Sequence, residues 1–125
     1  MSVGVTRDVA LNEMNWRGLH INVETAEYTI VPSDSGIILF NDYGTDANYI
    51  LPAVADAAGK MFLIVNGEAT TKTIVTAPSA CLKGVTAAAC TVITSKAIGD
   101  HLIITCDGTY YYVISMGLAV WTVTT

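Results

Sequence analysis

The sequence predicts an all-β protein, an antiparallel β-sandwich or jelly-roll-like barrel with an N-terminal arm. Three observations point there. Thr, Val, Ile and Tyr dominate the chain, and β-branched and aromatic side chains pack well on a pleated surface. Apolar runs are short and end in Gly, Asn, Asp or Pro, spaced at roughly 8 to 12 residues as in sandwiches and barrels. Finally, "HLIITCDGTYYYVISM" sets Asp107-Gly108 between two β-rich runs. Asp-Gly supplies the positive φ angles of a two-residue type I′ hairpin turn.

Residues 1–22 form the expected arm, with mixed residues, no sustained period and at most one helical turn around 9–14. The β domain is expected over 23–125. Its β-rich runs are 19–23, straddling the boundary, then 28–31, 37–40, 48–51, 61–65 and 72–76, followed by 90–94, 101–106, 109–115 and 119–123. "SDSG" at 33–36, "NDYGTD" at 41–46 and "VNGE" at 65–68 read as turns, because Asn, Asp and Gly tolerate left-handed backbone angles. In "NYILPAVADAAGKMFLIVNG", Leu51-Pro52 stops a strand, since proline cannot donate to a ladder. Ala-rich 53–58 is the best helical candidate and is too short to be stable alone. Gly59 then permits a turn into the next strand.

A chain of 125 residues fits one domain. Only 14% of its residues are charged against 52% hydrophobic, where an ordinary soluble domain carries roughly 25% charge. Mean hydropathy is +0.49, yet no apolar run approaches the ~18 residues of a membrane-spanning helix. The low charge therefore points to a surface covered by other protein copies. Net charge is −5 and the six basic residues, Arg7, Arg17, Lys60, Lys72, Lys83 and Lys96, are scattered singly. That excludes the basic stripe on which nucleic-acid binding depends. The N-terminus lacks a secretion-signal layout, so folding in the cytoplasm is expected.

No pattern in the chain calls for catalysis, a metal or a cofactor. Cys81, Cys90, Cys106 and His101 lack the close pairing of a structural zinc site. An odd cysteine count in a cytoplasmic setting reads as buried free thiols. Asp34, Ser35 and His101 could form a triad on paper, but no Gly-x-Ser-x-Gly elbow accompanies them. Asp42, Asp46, Asp56 and Glu68 could be proposed as paired carboxylates, but turn preference explains the Asp residues more simply and nothing else supports the pairing. In Tyr110-Tyr111-Tyr112 strand alternation sends Tyr111 toward the core and Tyr110 and Tyr112 to an outer face. There they serve an interface or, less simply, stack on sugar rings. Tyr43 joins them as a loop aromatic. In the arm, Val5, Leu11, Met14 and Trp16 are the expected contacts to a partner surface or neighbouring subunit, with Trp16 equally readable as a strand-edge plug in the chain's own core.

Taken together, "AEYTIVPSDSGIILFNDYGTDANYILPAVADAAGKMFLIVNG" and the closing "DGTYYYVISMGLAVWTV" resemble a pattern of tailed-bacteriophage virion proteins. The matching positions are 28–36, Tyr49 to Pro52, Gly59 to Asn66, Asp107-Gly108 and Trp121, and the resemblance covers about residues 26 to 124. It implies a β-rich structural domain, commonly trimeric, used on capsid surfaces and in tail spikes and fibres. For a short chain with an arm it implies a capsid decoration, or cement, protein: a homotrimer bound to the major capsid protein on the outer shell and assembled in the host cytoplasm. The alternative it leaves is a glycan-binding head-fibre or tail-fibre tip.

Overall fold

Burial alternates residue by residue along most of the described strands, even where both faces are apolar, and this fixes which face is inside. A computed structural model describes residues 19–69, 73–84, 89–117 and 121–124. Its strands are β1 (His20–Val23), β2 (Glu27–Thr29), β3 (Ile38–Asn41), β4 (Ala47–Ile50), β5 (Met61–Asn66) and β6 (Thr73–Thr76). They continue as β7 (Leu82–Lys83), β8 (Val92–Thr94), β9 (His101–Cys106), β10 (Tyr111–Gly117) and β11 (Thr122–Thr124). One sheet has the order β1-β3-β5-β9-β10-β7 and the other β2-β4-β6-β8-β11. No described helix is long and apolar enough to cross a membrane.

The all-β expectation holds, but the antiparallel sandwich or jelly-roll barrel does not. The first six strands visit the two sheets alternately, and their neighbours within each sheet run parallel: β1–β3, β3–β5, β2–β4 and β4–β6. The chain therefore climbs as a solenoid-like coil, and only then do β8, β9, β10 and β11 add antiparallel strands. Turns do form over 33–36 and 41–46, with Asn41 itself closing β3. They are corners that carry the chain across to the opposite sheet, where a sandwich of hairpins needs reversals beside the same strand. Local turn chemistry is the same in both cases, which is why the sequence did not separate them.

Inward side chains line up in rows across each sheet. One row is Ile21–Leu39–Ile64–Leu102 and another Tyr28–Tyr49–Val75–Ile93–Val123. Leu39, Ile64, Leu102, Tyr49, Val75 and Ile93 are fully buried in a single core with Phe62, Tyr111 and Trp121. Fully burying one such aliphatic or aromatic side chain stabilises the fold by about 1.5–3 kcal/mol. The rows are complete in the middle of the coil and unfinished at its start, where Leu19 and Ile21 are still 49% and 37% exposed.

Two of the buried tyrosines differ in a way that can be tested. Tyr111 Oη donates to the Pro52 carbonyl, whereas Tyr49 Oη is buried without a partner. Burial raises the pKa of both phenols, so both stay neutral. Tyr49→Phe is expected to leave stability unchanged or raise it slightly, and Tyr111→Phe to cost about 1 kcal/mol. Urea melts of the two variants check this; an equal loss in both would contradict it.

The corners of the coil are polar and buried. Where β3 and β5 end, Asn41 and Asn66 stand in register. Asn41 Nδ2 donates to Thr73 Oγ1 (2.8 Å), and Thr73 Oγ1 donates to Asn66 Oδ1 (2.9 Å). Asn66 Nδ2 donates in turn to the carbonyls of Glu68 and Ala97. Ser95 Oγ accepts the Thr73 N–H, and Asp100 Oδ2 accepts the N–H groups of Lys96 and Ala97. At the opposite corner Ser35 Oγ accepts the Met61 N–H, and Asp34 Oδ2 accepts Tyr28 Oη and the Val31 N–H. Burial first, then the Asp34 bond, pushes the Tyr28 phenol up to about 12.

The plain stretch of residues 52–60 packs into this second corner. The helical expectation for 53–58 reduces to a three-residue 3-10 turn, Val54–Asp56. Gly59 has φ +76° and donates its N–H to the Cys106 carbonyl, so it makes the turn expected of it.

Candidate functional site

The outer face of the β9–β10 hairpin gathers the most side chains able to bind something. The hairpin is where expected, but it is wider than a two-residue type I′ turn. Residues 107–110 separate the strands, and Gly108 has a positive φ (+93°). Asp107 contributes its side chain instead: Oδ1 accepts the N–H groups of Thr109 and Tyr110, both at 2.8 Å. Those backbone bonds hold the Asp107 carboxyl below its ordinary pKa of 3.8. Because the folded value is depressed, the turn's contribution to stability is present above 3.8 and is lost as pH falls through the lower folded value. In an NMR titration the Thr109 and Tyr110 amide shifts should therefore move with a midpoint below 3.8. A midpoint at or above the ordinary value would contradict the turn geometry.

The turn presents Tyr110 and Tyr112 on the same side, while Tyr111 is buried. The two rings meet edge to face, with centroids 6.3 Å apart. Lys83 lies next to Tyr112 across the parallel β7–β10 pair and sets its Nζ 3.8 Å from the Tyr110 ring centroid. Tyr112 Oη donates to Asp107 Oδ2 at 3.1 Å, and that bond raises its pKa. The result is a patch with a cation at one end, a carboxylate at the other and two half-buried phenols between them. Such a surface offers hydrogen bonds and aromatic area, but Lys83 already covers one face of Tyr110.

No family model matches the chain. No curated protein matches it either.

The remaining candidate residues are dispersed. Tyr43 sits at the Asn41 corner, donates its N–H to Asn41 Oδ1 and packs on the core, at the opposite end of the strands from Tyr110 and Tyr112. Val5, Leu11, Met14 and Trp16 lie outside the described residues. Asp34, Ser35 and His101 are not brought together: Ser35 is bonded at the Met61 end of β5, and His101 stands opposite Val65 at the other end. Among the described residues no group of three His, Cys, Asp or Glu side chains is placed to hold a metal ion.

Cys81, Cys90 and Cys106 are free and buried. Burial pushes the Cys90 and Cys106 thiols up, and Cys106 Sγ donates to the Val54 carbonyl. Protonated, shielded thiols are poor nucleophiles.

Sequence reasoning missed Lys83, which it read as one scattered cation. Its own strand, β7, has only two residues, too few to leave a periodic signal. It also missed that Asn41 and Asn66 are interior groups. An Asn at the end of an apolar run reads as a turn former whether its amide faces water or a neighbouring coil.

Proposed function

We propose that this protein is a non-enzymatic bacteriophage capsid decoration protein, a homotrimer that binds the major capsid protein on the outer shell and reinforces it. The observation that supports this reading is the unfinished first coil. Among the described residues β1 and β2 are the terminal strands of their sheets, and Leu19, Ile21 and Val31, in or next to them, are exposed. An end of this kind on a rigid two-sheet scaffold is a surface made for protein contact. The segment before it, with Val5, Leu11, Met14 and Trp16, is the proposed capsid or subunit contact. Co-sedimentation with purified capsids tests the reading. The intact chain should pellet with the shell, and a chain lacking residues 1–18 should fold but stay in the supernatant. Equal binding by the truncated chain would remove the arm from the proposal, and no binding by the intact chain would remove the capsid.

The paired rings of Tyr110 and Tyr112 favour a second reading, a glycan-binding head-fibre or tail-fibre tip. Selective binding on a glycan array that disappears in Tyr112→Ala would support it over the first.

A further inference from the structure

The two open strands of the first coil have complementary properties. The Leu19 carbonyl accepts the Ile38 N–H and the Val23 carbonyl accepts the Asp42 N–H, so odd-numbered residues of this segment face β3. Successive residues alternate sides, which turns the backbone groups of His20 and Asn22 toward the free edge. In the other sheet, the Ala26 carbonyl accepts the Asn48 N–H and the Ile30 N–H donates to the Ile50 carbonyl. Glu27 and Thr29 therefore face the outer edge of β2, which no described strand covers, and the Glu27 carbonyl accepts the Thr25 hydroxyl of its own turn.

Natural sheets protect open edges with lysine, proline, bulges or very short strands. At the far end of this molecule β7 has two residues, carries Lys83, and pairs with a strand that is bulged between Val113 and Ser115. At the near end β1 pairs with β3 over four residues without a bulge and contains neither lysine nor proline. In this sheet the near edge is therefore the one left ready to pair, while β2 and β11, the two edges of the other sheet, have three residues each.

We propose that this end joins copies of the chain, the β1 edge of one copy pairing antiparallel with the β2 edge of the next. This rests on the reading of the protein as a contact scaffold and adds what the contact is. β1 and β2 run in opposite directions because the short link at 24–26 returns the chain along the other sheet. Rotating a copy about an axis parallel to the strands keeps those directions. Each β1 then meets a β2 of opposite sense, and a ring of two or three copies leaves no edge at this end open.

β1 contains His20 and no acid, and β2 carries Glu27. Val23 and Tyr28 point inward, so His20 and Glu27 lie on the outer face on the two sides of the junction. On the inner face Leu19, Ile21 and Tyr28 of each copy close over one another, completing the unfinished rows. A single added strand from another protein would cover only one of the two edges.

Mass from light scattering and amide hydrogen exchange test this on the full chain. The wild type should run as a closed dimer or trimer, with the amides of His20, Asn22, Glu27 and Thr29 slow to exchange. Ile21→Asp should give a monomer of unchanged circular dichroism in which those four amides exchange fast. Asn22→Glu, level with Glu27 across the junction, should weaken assembly several-fold, and adding Glu27→Lys to it should restore assembly. Ile98→Asp, at an exposed loop position away from this end, should leave the mass unchanged.

A monomeric wild type overturns the proposal. If its four amides are protected, the chain's own residues 1–18 cover the edge; if they are not, a different partner does. An oligomer indifferent to Ile21→Asp also overturns it. A ring that assembles through this end but does not bind capsids defeats the decoration reading and leaves the junction standing, and a dimer defeats only the trimer.

Discussion

Asn66→Ala is expected to destabilise the protein by about 3–5 kcal/mol, because each buried polar group left without a partner costs about 1–3 kcal/mol. The side chain is fully buried, and three bonds of good geometry depend on it. Its Nδ2 donates to the carbonyls of Glu68 (2.8 Å) and Ala97 (2.9 Å), and its Oδ1 accepts the Thr73 hydroxyl. These partners belong to the corner after β5, to β6 and to the loop before β9, so one amide ties three passes of the chain together. Alanine leaves two carbonyls without this donor and a hydroxyl without this acceptor. Asn41→Ala should cost less, about 2 kcal/mol, since its side-chain amide bonds the Thr73 hydroxyl and the Tyr43 N–H. Asn66→Asp should be destabilised most at neutral pH, where a carboxylate would face the two carbonyls. Its folded pKa would be raised above the unfolded value, so part of the loss should return as pH falls. Chemical denaturation of the three variants is the measurement. A loss below about 1 kcal/mol for Asn66→Ala would mean that the corner amide is not a tie.

Gly67→Ala should cost about 2–3 kcal/mol through overpacking of backbone and ring. A Cβ built on Gly67 falls 2.6 Å from the Asn41 carbonyl oxygen and within van der Waals overlap of the Phe40 ring. The ring could swing away. The carbonyl cannot, because it accepts the Gly67 N–H and belongs to the β3 corner directly beneath. Relieving the clash therefore separates two neighbouring coils. Gly44→Ala is the matched control, since nothing lies within 4 Å of a Cβ there, and it should stay within about 0.5 kcal/mol of the wild type. Equal melting temperatures for Gly67→Ala and Gly44→Ala would show that the coils are not in close contact at this corner.

The strands were legible in the sequence and their pairing was not. Met61 to Val65 and His101 to Cys106 announce themselves by β-branched and aliphatic content, and the structure gives them strands Met61–Asn66 and His101–Cys106. Pairing depends on whether a turn folds back beside its own strand or crosses to the other sheet. Asn41 to Ala47 and Asp107 to Tyr110 contain the same kinds of residue and do opposite things. The difference lies in what the Asn41 amide finds next to it, Thr73 Oγ1 from a strand more than thirty residues later. No local window contains that partner. β7 stayed invisible for a simpler reason, because two residues have no period.

At the candidate site, Tyr110 and Tyr112 followed from strand alternation, and the inward position of Tyr111 followed with them. Lys83 and the side-chain role of Asp107 needed coordinates. Gly59 was readable because a small-residue link ending in glycine before an apolar run demands a positive φ. The exposure of Leu19 and Ile21 could not be foreseen, since both belong to a run that should bury every second residue.

The Asn66-Gly67 corner also bears on how long the molecule lasts. Asparagine before glycine is the pair most prone to spontaneous deamidation, in which the glycine nitrogen attacks the side-chain amide carbon. Here that nitrogen donates its hydrogen to Asn41, and the amide is pinned between the carbonyls of Glu68 and Ala97. While the corner is closed the attack has no room to occur. Protein kept warm in buffer should retain its amide at position 66, whereas protein kept as long in denaturant should acquire an acid there and refold poorly. Peptide mass spectrometry reads the difference directly. The corner thus acts as a one-way record of time spent unfolded.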